Sequence, residues 1–142
     1  GRITSFEMRC NVALPGQFGF ELDLNKCTEN ELEIAKKKVC EYRELQELFH
    51  NGDCYRLRSP FETDLSVIEF VSDDKRKAVV CINSYKAAAN AADEFIRLQG
   101  LCEDAAYRIG ENLYDGKYLM NYGIVFRNNR ENKSEIIVIS AE

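Results

Sequence analysis

Apolar and polar residues alternate near the start of the chain. Met8, Cys10, Val12 and Leu14 fall on one side and Arg9, Asn11 and Ala13 on the other, which is the period of a half-buried strand. Pro15-Gly16 ends the run, because proline lacks the N–H a sheet ladder needs and glycine accepts unusual dihedrals. Phe18, Phe20, Leu22 and Leu24 repeat the alternation over a shorter stretch. Then the period changes. Thr28-Glu29-Asn30-Glu31 has the residues of a capping box, and Leu32, Ala35, Val39, Tyr42, Leu45 and Phe49 follow at steps of three or four, the spacing of one helix face. Lys36, Lys37, Lys38, Glu41 and Glu44 occupy the opposite face, and Gly52 stands where a helix would stop. The pattern predicts an amphipathic helix over 28–52 that needs an apolar surface to lie on.

Beyond Gly52 the texture is that of short strands. Cys54–Leu57, Ser66–Val71 and Lys77–Tyr85 read as strands, the last two joined by the turn Ser72-Asp73-Asp74-Lys75 into a hairpin. Glu94–Leu98, Ala106–Ile109, Lys117–Leu119, Ile124–Arg127 and Glu135–Ser140 are further short β segments, punctuated by Gly100, Gly110, Gly116 and Asn128-Asn129. Residues 87–92 read as a loop or an irregular strand. The fold class that follows is mainly β: an antiparallel β-sandwich or rolled sheet, preceded by one strand and one amphipathic helix. No internal repeat or low-complexity tract is present.

Composition narrows the function classes. The 142 residues are 45% apolar and 30% charged, as in an ordinary globular protein, and the net charge is −5. Without a basic stripe, nucleic acid and anionic membranes are poor partners. The longest apolar runs, such as Ala78–Ile82, are far too short to span a bilayer. The six cysteines are scattered without a Cys-x-x-Cys pair and the one histidine is His50, so no metal ligand set is expected. An even number of cysteines leaves a disulfide framework open. Cys10, Cys40 and Cys81 nevertheless sit in apolar patterns, as buried free thiols do, which favours a reducing, cytoplasmic setting.

Several stretches, taken in order, resemble one family. They are Gly1-Arg2-Ile3-Thr4, Met8-Arg9-Cys10-Asn11-Val12-Ala13-Leu14 and Phe18-Gly19-Phe20-Glu21-Leu22-Asp23-Leu24, then Asn51-Gly52-Asp53-Cys54-Tyr55-Arg56-Leu57 and Ser59-Pro60-Phe61, and later Val71-Ser72-Asp73-Asp74-Lys75, Leu98-Gln99-Gly100-Leu101 and Asp115-Gly116-Lys117-Tyr118-Leu119-Met120-Asn121. Their order and spacing resemble the C-terminal part of bacterial α-galactosidases of glycoside hydrolase family 36. The resemblance implies a parent with an N-terminal β domain, a central (β/α)8 barrel and a C-terminal β domain, hydrolysing terminal α-galactosides of the melibiose or raffinose type with retention and no cofactor. It makes Met8–Leu14 the eighth barrel strand and Thr28–Phe49 the eighth helix. It divides the chain into 1–52, a remnant of the last β/α unit, and 53–142, the C-terminal antiparallel β domain. The partners implied are the rest of the barrel, the galactoside, and a second copy of the chain.

Retaining hydrolysis needs two carboxyl groups about 5–5.5 Å apart. The family supplies aspartates in a Lys-x-Asp and a Ser-Asp-Asn-type motif on earlier barrel strands. This sequence has no Lys-x-Asp, and its one Ser-Asp pair, Ser72-Asp73, falls in a charged turn, so no catalytic residue is assigned. Glu21 and Asp23 would share a face of an extended segment, but a loop carboxylate and a local cap are the favoured account of them, because an acid/base pair needs matched, opposed geometry. Loops after strands form the catalytic face of a barrel, so Pro15, Gly16, Gln17 and Phe18, after the expected strand, are the candidate sugar-lining residues; plain Pro-Gly turn chemistry explains them as well. Tyr55, Tyr107, Tyr114, Tyr118 and Tyr122 suggest an aromatic platform, against the commoner role of such residues in packing. His50, at a helix end, suits the helix dipole and is given no catalytic role.

Two functions follow. The first is a non-catalytic C-terminal part of an α-galactosidase, a structural cap that also makes subunit contacts. The second is a free-standing carbohydrate-binding β module. The amphipathic helix separates them, because a barrel helix needs its apolar face covered and a binding module has little use for one. An independent enzyme is the weakest reading, with no catalytic constellation in view.

Overall fold

The computed structural model describes residues 4–86, 92–128 and 131–142. Helices α1 (Phe6–Ala13) and α2 (Glu29–Asn51) come first, followed by strands β1 (Asp53–Arg58), β2 (Leu65–Val71), β3 (Lys77–Ser84), β4 (Glu94–Ile96), β5 (Ala106–Ile109) and β6 (Asn112–Asp115). The short helix α3 (Gly116–Asn121) and strands β7 (Ile124–Phe126) and β8 (Lys133–Ala141) complete the chain. Six strands form one antiparallel sheet in the order β1-β2-β3-β8-β5-β6, and β4 pairs with β7 in a separate ribbon. The mainly antiparallel β architecture expected from the sequence is thus present. Residues 87–91 of the 87–92 loop lie outside the described residues.

The sheet divides the core in two. Val67 and Val71 of β2, Ala78, Val80 and Ile82 of β3 and Ile139 of β8 pack under Ile96, Leu98, Leu101, Tyr107, Leu119, Ile124 and Phe126. On the other face Phe70, Val79 and Cys81 meet Leu14 of the post-α1 turn and Leu45, Leu48 and Phe49 of α2. The result is three layers: two helices, the six-stranded sheet, and an outer layer built from the β4–β7 ribbon, α3 and their connecting loops. The β2–β3 hairpin anchors the arrangement, with Leu65 opposite Ser84 and Val71 opposite Ala78. Its turn is closed by bonds from Ser72 N–H to the Lys77 carbonyl (2.8 Å) and from Lys75 N–H to the Ser72 carbonyl (2.8 Å).

The helix read from residues 28–52 is α2, and its capping box is complete. Glu31 N–H donates to Thr28 Oγ1 at 3.3 Å and Thr28 N–H to Glu31 Oε2 at 2.9 Å. These two bonds satisfy donors that the first helical turn would otherwise leave orphaned. Only the second half of the helix lies on the sheet. Leu45, Leu48 and Phe49 are buried, whereas Leu32 is 39% exposed. Geometry explains this: 23 residues make a helix of roughly 34 Å, longer than the seven- and eight-residue strands beneath it. The first turns therefore project past the sheet.

Two expectations are corrected. The segment read as a barrel strand, Met8–Leu14, is helical from Phe6 to Ala13 and is capped by Ser5, whose hydroxyl accepts from Met8 N–H at 3.2 Å. An alternation of four apolar residues does not by itself separate a strand from a short helix. Here Met8, Cys10, Asn11 and Leu14 turn inward and Val12 is 48% exposed, which a strand facing one way would not allow. α1 lies against β8 and β3, and Asn11 Nδ2 donates to Ser134 Oγ at 2.8 Å. The segment therefore has an intramolecular home and is not a severed strand. Lys117–Leu119, expected as a strand, belongs to α3; Leu119 is fully buried and its carbonyl accepts from Leu98 N–H at 3.0 Å. The sequence reading also passed over β6, which pairs with β5 across the two-residue turn Gly110-Glu111, with Gly110 at φ +59°.

All six cysteines are free: Cys10 and Cys81 are buried, and Cys40, Cys54 and Cys102 are exposed. Burial pushes the Cys81 thiol up to about 12. Cys40 takes the opposite place from the one its apolar setting suggested.

Two outcomes test this packing. Leu45→Asp places a charge against Phe70 and Val79, and is expected to lower the unfolding free energy by several kcal/mol in a urea titration. Leu32→Asp in the same chain should stay within about 0.5 kcal/mol. Equal effects would mean that the helix does not dock by its second half. A thiol reagent added to the native protein should label Cys40, Cys54 and Cys102 rapidly and Cys10 and Cys81 only as the protein unfolds; prompt labelling of Cys81 would contradict the buried helix–sheet face.

Candidate functional site

Pro15, Gly16, Gln17 and Phe18 follow helix α1, not a strand. Gly16 N–H returns to the Ala13 carbonyl at 3.2 Å, closing a helix-end turn. Phe18 meets Phe20 edge-on (5.0 Å between centroids) and Tyr42 of α2 (5.6 Å), so it serves packing between the first segment and the helix. The premise that made these four residues sugar-lining, a loop after a barrel strand, does not hold in the structure. Residues 18–23, between the two helices, have no regular secondary structure.

The carboxylates examined as acid/base candidates have local roles. Asp23 caps the short 3-10 turn Leu24–Lys26 by accepting from Asn25 N–H at 3.1 Å, and its other oxygen lies 3.4 Å from Lys26 Nζ. Glu21 is exposed. Ser72 belongs to the hairpin turn: its hydroxyl accepts from Lys77 N–H at 2.9 Å and lies 2.7 Å from Asp74 Oδ1, and that hydrogen bond holds the Asp74 carboxyl below its usual range. His50 lies beside Tyr42, with Nε2 3.3 Å from the hydroxyl. Among the described residues no three His, Cys, Asp or Glu side chains are grouped as a metal would require, and no helix is long and apolar enough to cross a membrane.

The five tyrosines of the expected platform fall in three settings. Tyr107 is fully buried; its hydroxyl donates to the Lys75 carbonyl (2.7 Å) and accepts from Cys102 N–H (2.9 Å), tying the hairpin turn to the loop before β5. Tyr55 is half-buried against the outer core. Tyr114, Tyr118 and Tyr122 come together as a ladder, with centroids 5.9 and 5.3 Å apart and planes inclined by 21° and 24°. Tyr118 and Tyr122 are one helical turn apart on and just after α3, which is why their rings align. Tyr122 is 67% exposed and borders a cleft of about 420 Å³ lined also by Arg58, Phe95, Arg97 and Asn121. Next to Tyr122, Gly123 lies close against the β4 backbone: at φ +90° a Cβ there would collide with the Ile96 carbonyl.

One buried ionisable group was missed in the sequence. Glu69 of β2 is wholly inaccessible and points to the outer core, between Val67 and Val71 on the same face. Oε2 accepts from Gln99 N–H at 2.8 Å, and Oε1 has no partner. Desolvation pushes its carboxyl up to about 8, with the Gln99 bond opposing. The signal was present: a carboxylate interrupts an otherwise apolar inward face in Leu65-Ser-Val-Ile-Glu-Phe-Val. Glu69 sits in the buried outer core, and its bond to Gln99 N–H holds the 97–101 loop against β2.

With the geometry in view, comparison with known proteins defines the class. Residues 65–139 match the glycosyl hydrolase family 36 C-terminal domain, and residues 1–52 match the melibiase family. The chain belongs to glycosyl hydrolase family 36 and carries its C-terminal domain. It is 40% identical over 125 residues to α-galactosidase AgaA of Geobacillus stearothermophilus, covering 87% of this chain and 17% of that protein. It is 32% identical over 126 residues to the bifunctional α-galactosidase/sucrose kinase AgaSK of Mediterraneibacter gnavus, covering 87% of this chain and 14% of that one. The crystal structure of AgaA superposes on the whole chain with a TM-score of 0.95 at 36% identity, the chain covering 20% of it. The chain thus spans about a fifth or less of these relatives.

Glu69 gives a pH prediction. The native state keeps the Glu69 proton up to about pH 8, whereas an unfolded glutamate releases it near 4.5. Between these values the native state binds more protons, so unfolding free energy falls as pH rises, by at most about 1.4 kcal/mol per pH unit, and levels off above. Below about pH 4.5 the contribution is complete. Glu69→Gln should flatten this decline in urea titrations from pH 5 to pH 8; an unchanged slope would mean that Glu69 is ionised in the native protein.

Proposed function

We propose that this chain is the non-catalytic C-terminal part of an α-galactosidase, whose complete form hydrolyses terminal α-galactosides. On this reading residues 1–52 close the catalytic barrel, and 53–142 form a β domain that caps it and contributes to subunit contacts. The observation that carries the reading is the uncovered apolar surface on the stretch that joins α1 to α2. Residues 18–23 have no regular secondary structure and belong to neither described sheet. Beside them Leu22, Leu24 and Leu32 are 41%, 60% and 39% exposed. An irregular stretch with an uncovered apolar surface fits a barrel closure whose neighbouring strands belong to another part of the chain.

On this reading 18–23, and not 8–14, would pair as the last strand of the complete barrel, with α2 as the last barrel helix. Loops after strands face the catalytic side of a barrel, so the turn 24–28 takes the place first given to Pro15, Gly16, Gln17 and Phe18. The substrate class is supported by solved AgaA structures in complex with raffinose and with stachyose. A free-standing carbohydrate-binding module, the alternative, leaves the overhanging half of α2 unexplained.

The test is release of chromophore from an aryl α-galactoside. The complete protein should turn over, and the 142-residue chain alone should show no activity above a catalytically dead control. Turnover by the purified chain that is lost on Glu21→Gln or Asp23→Asn would overturn the reading.

A further inference from the structure

We propose that the cleft between Phe95 and Tyr122 is a binding surface for a neutral oligosaccharide chain. This goes beyond the proposed hydrolytic role and does not depend on it. Two exposed aromatic rings form its sides: Phe95 of β4 is 60% exposed and Tyr122 is 67% exposed. Sugars offer apolar C–H faces to aromatic rings and hydroxyls to planar polar groups around them, and the cleft supplies both.

The polar groups are held in place. Arg58 donates from Nη1 to the Leu57 carbonyl at 2.9 Å and from Nη2 to the Phe95 carbonyl at 3.2 Å, which fixes the guanidinium at the foot of the cleft. Arginine has about five N–H donors, so roughly three remain for a ligand. Asn121 spends its amide on the Lys117 carbonyl at 2.8 Å, leaving its oxygen to accept from a hydroxyl. Arg97 is exposed and adds a further donor set. Tyr122 stacks on Tyr118, which stacks on Tyr114, so the ring is aligned before any ligand arrives and less freedom is lost on binding.

Charge disfavours two other candidate occupants. The lining holds two arginines and no carboxylate. A two-fold contact with a second copy would bring arginines against arginines. Nucleic acid would be repelled by a chain of net charge −5. A neutral glycan meets neither penalty.

The experiment is electrophoresis of the complete protein through native gels containing galactomannan or amylose. Amylose carries no α-galactosyl group, so slowing in that gel cannot come from a pocket for terminal α-galactosides. Mobility is expected to fall at least twofold in one or both gels relative to a polymer-free gel. Slowing in both indicates a general glycan surface, and slowing in galactomannan alone a branch-selective one. Phe95→Ala and Tyr122→Ala should restore free mobility, Tyr122→Phe should remain slowed, and Arg97→Ala, at an exposed position, should be slowed less. Melting curves identify any variant that fails to fold, in which case Arg97→Ala and Tyr122→Phe decide the matter. Three results would overturn the proposal: no slowing in either gel, equal slowing of every variant, or a drop in particle mass on Tyr122→Ala by light scattering, which would make the cleft a subunit contact.

Discussion

Strand β3 has no solvent-facing side. Ala78, Val80 and Ile82 enter the outer core and Val79 and Cys81 the helix-facing core, while the backbone is laddered to β2 on one edge and β8 on the other. Burying apolar side chains on both faces gives this strand far more stabilisation than the edge strands receive, at roughly 25 cal/mol per Å² of apolar surface. The other layers depend on it. α2 docks on Phe70, Val79 and Cys81, and the β4–β7 ribbon and α3 close over the opposite face. Both attachments need the β2–β3 register, since a slip of one residue would exchange the two faces.

The legible parts of the fold were those in which period and local chemistry agreed. Thr28 and Glu31 marked the start of α2, and the charged turn between Val71 and Lys77 marked the hairpin. The illegible parts were short. From Met8 to Leu14 a four-residue alternation fitted a strand, and the Ser5 cap with the available surface of β8 and β3 made it a helix. At Lys117–Leu119 the deciding contacts come from Ala105 and Glu103, whose carbonyls accept from Gly116 and Lys117 N–H groups. No local pattern contains that information. Of the five tyrosines expected to form a platform, three assemble into a ladder and Tyr107 is core. Tertiary placement made that division, and Phe95 and Arg97 were not in view as its neighbours.

The two sides of the molecule are unlike in what they leave uncovered. The helix side presents an apolar edge from Leu22 to Leu32, suited to continuing a larger fold. The outer side presents aromatic rings interleaved with arginines and an asparagine, suited to a polar ligand with apolar faces. On the proposed reading, the barrel of the complete enzyme covers the first surface. The second is a property of these particular residues around α3 and β4.

The mismatch between the length of α2 and the width of the sheet has a consequence for how the helix holds together. Around Leu45–Phe49 its amides are secured by tertiary contact, and opening them requires separating two layers. Toward Thr28 they depend on the capping box and on the i to i−4 bonds alone, which isolated helices of a few turns keep only marginally. Hydrogen exchange along this single helix should therefore be graded, slow at one end and fast at the other. A neighbour that covered Leu32 and Val39 would level that gradient, so the first turns of α2 would report whether the adjoining fold has assembled.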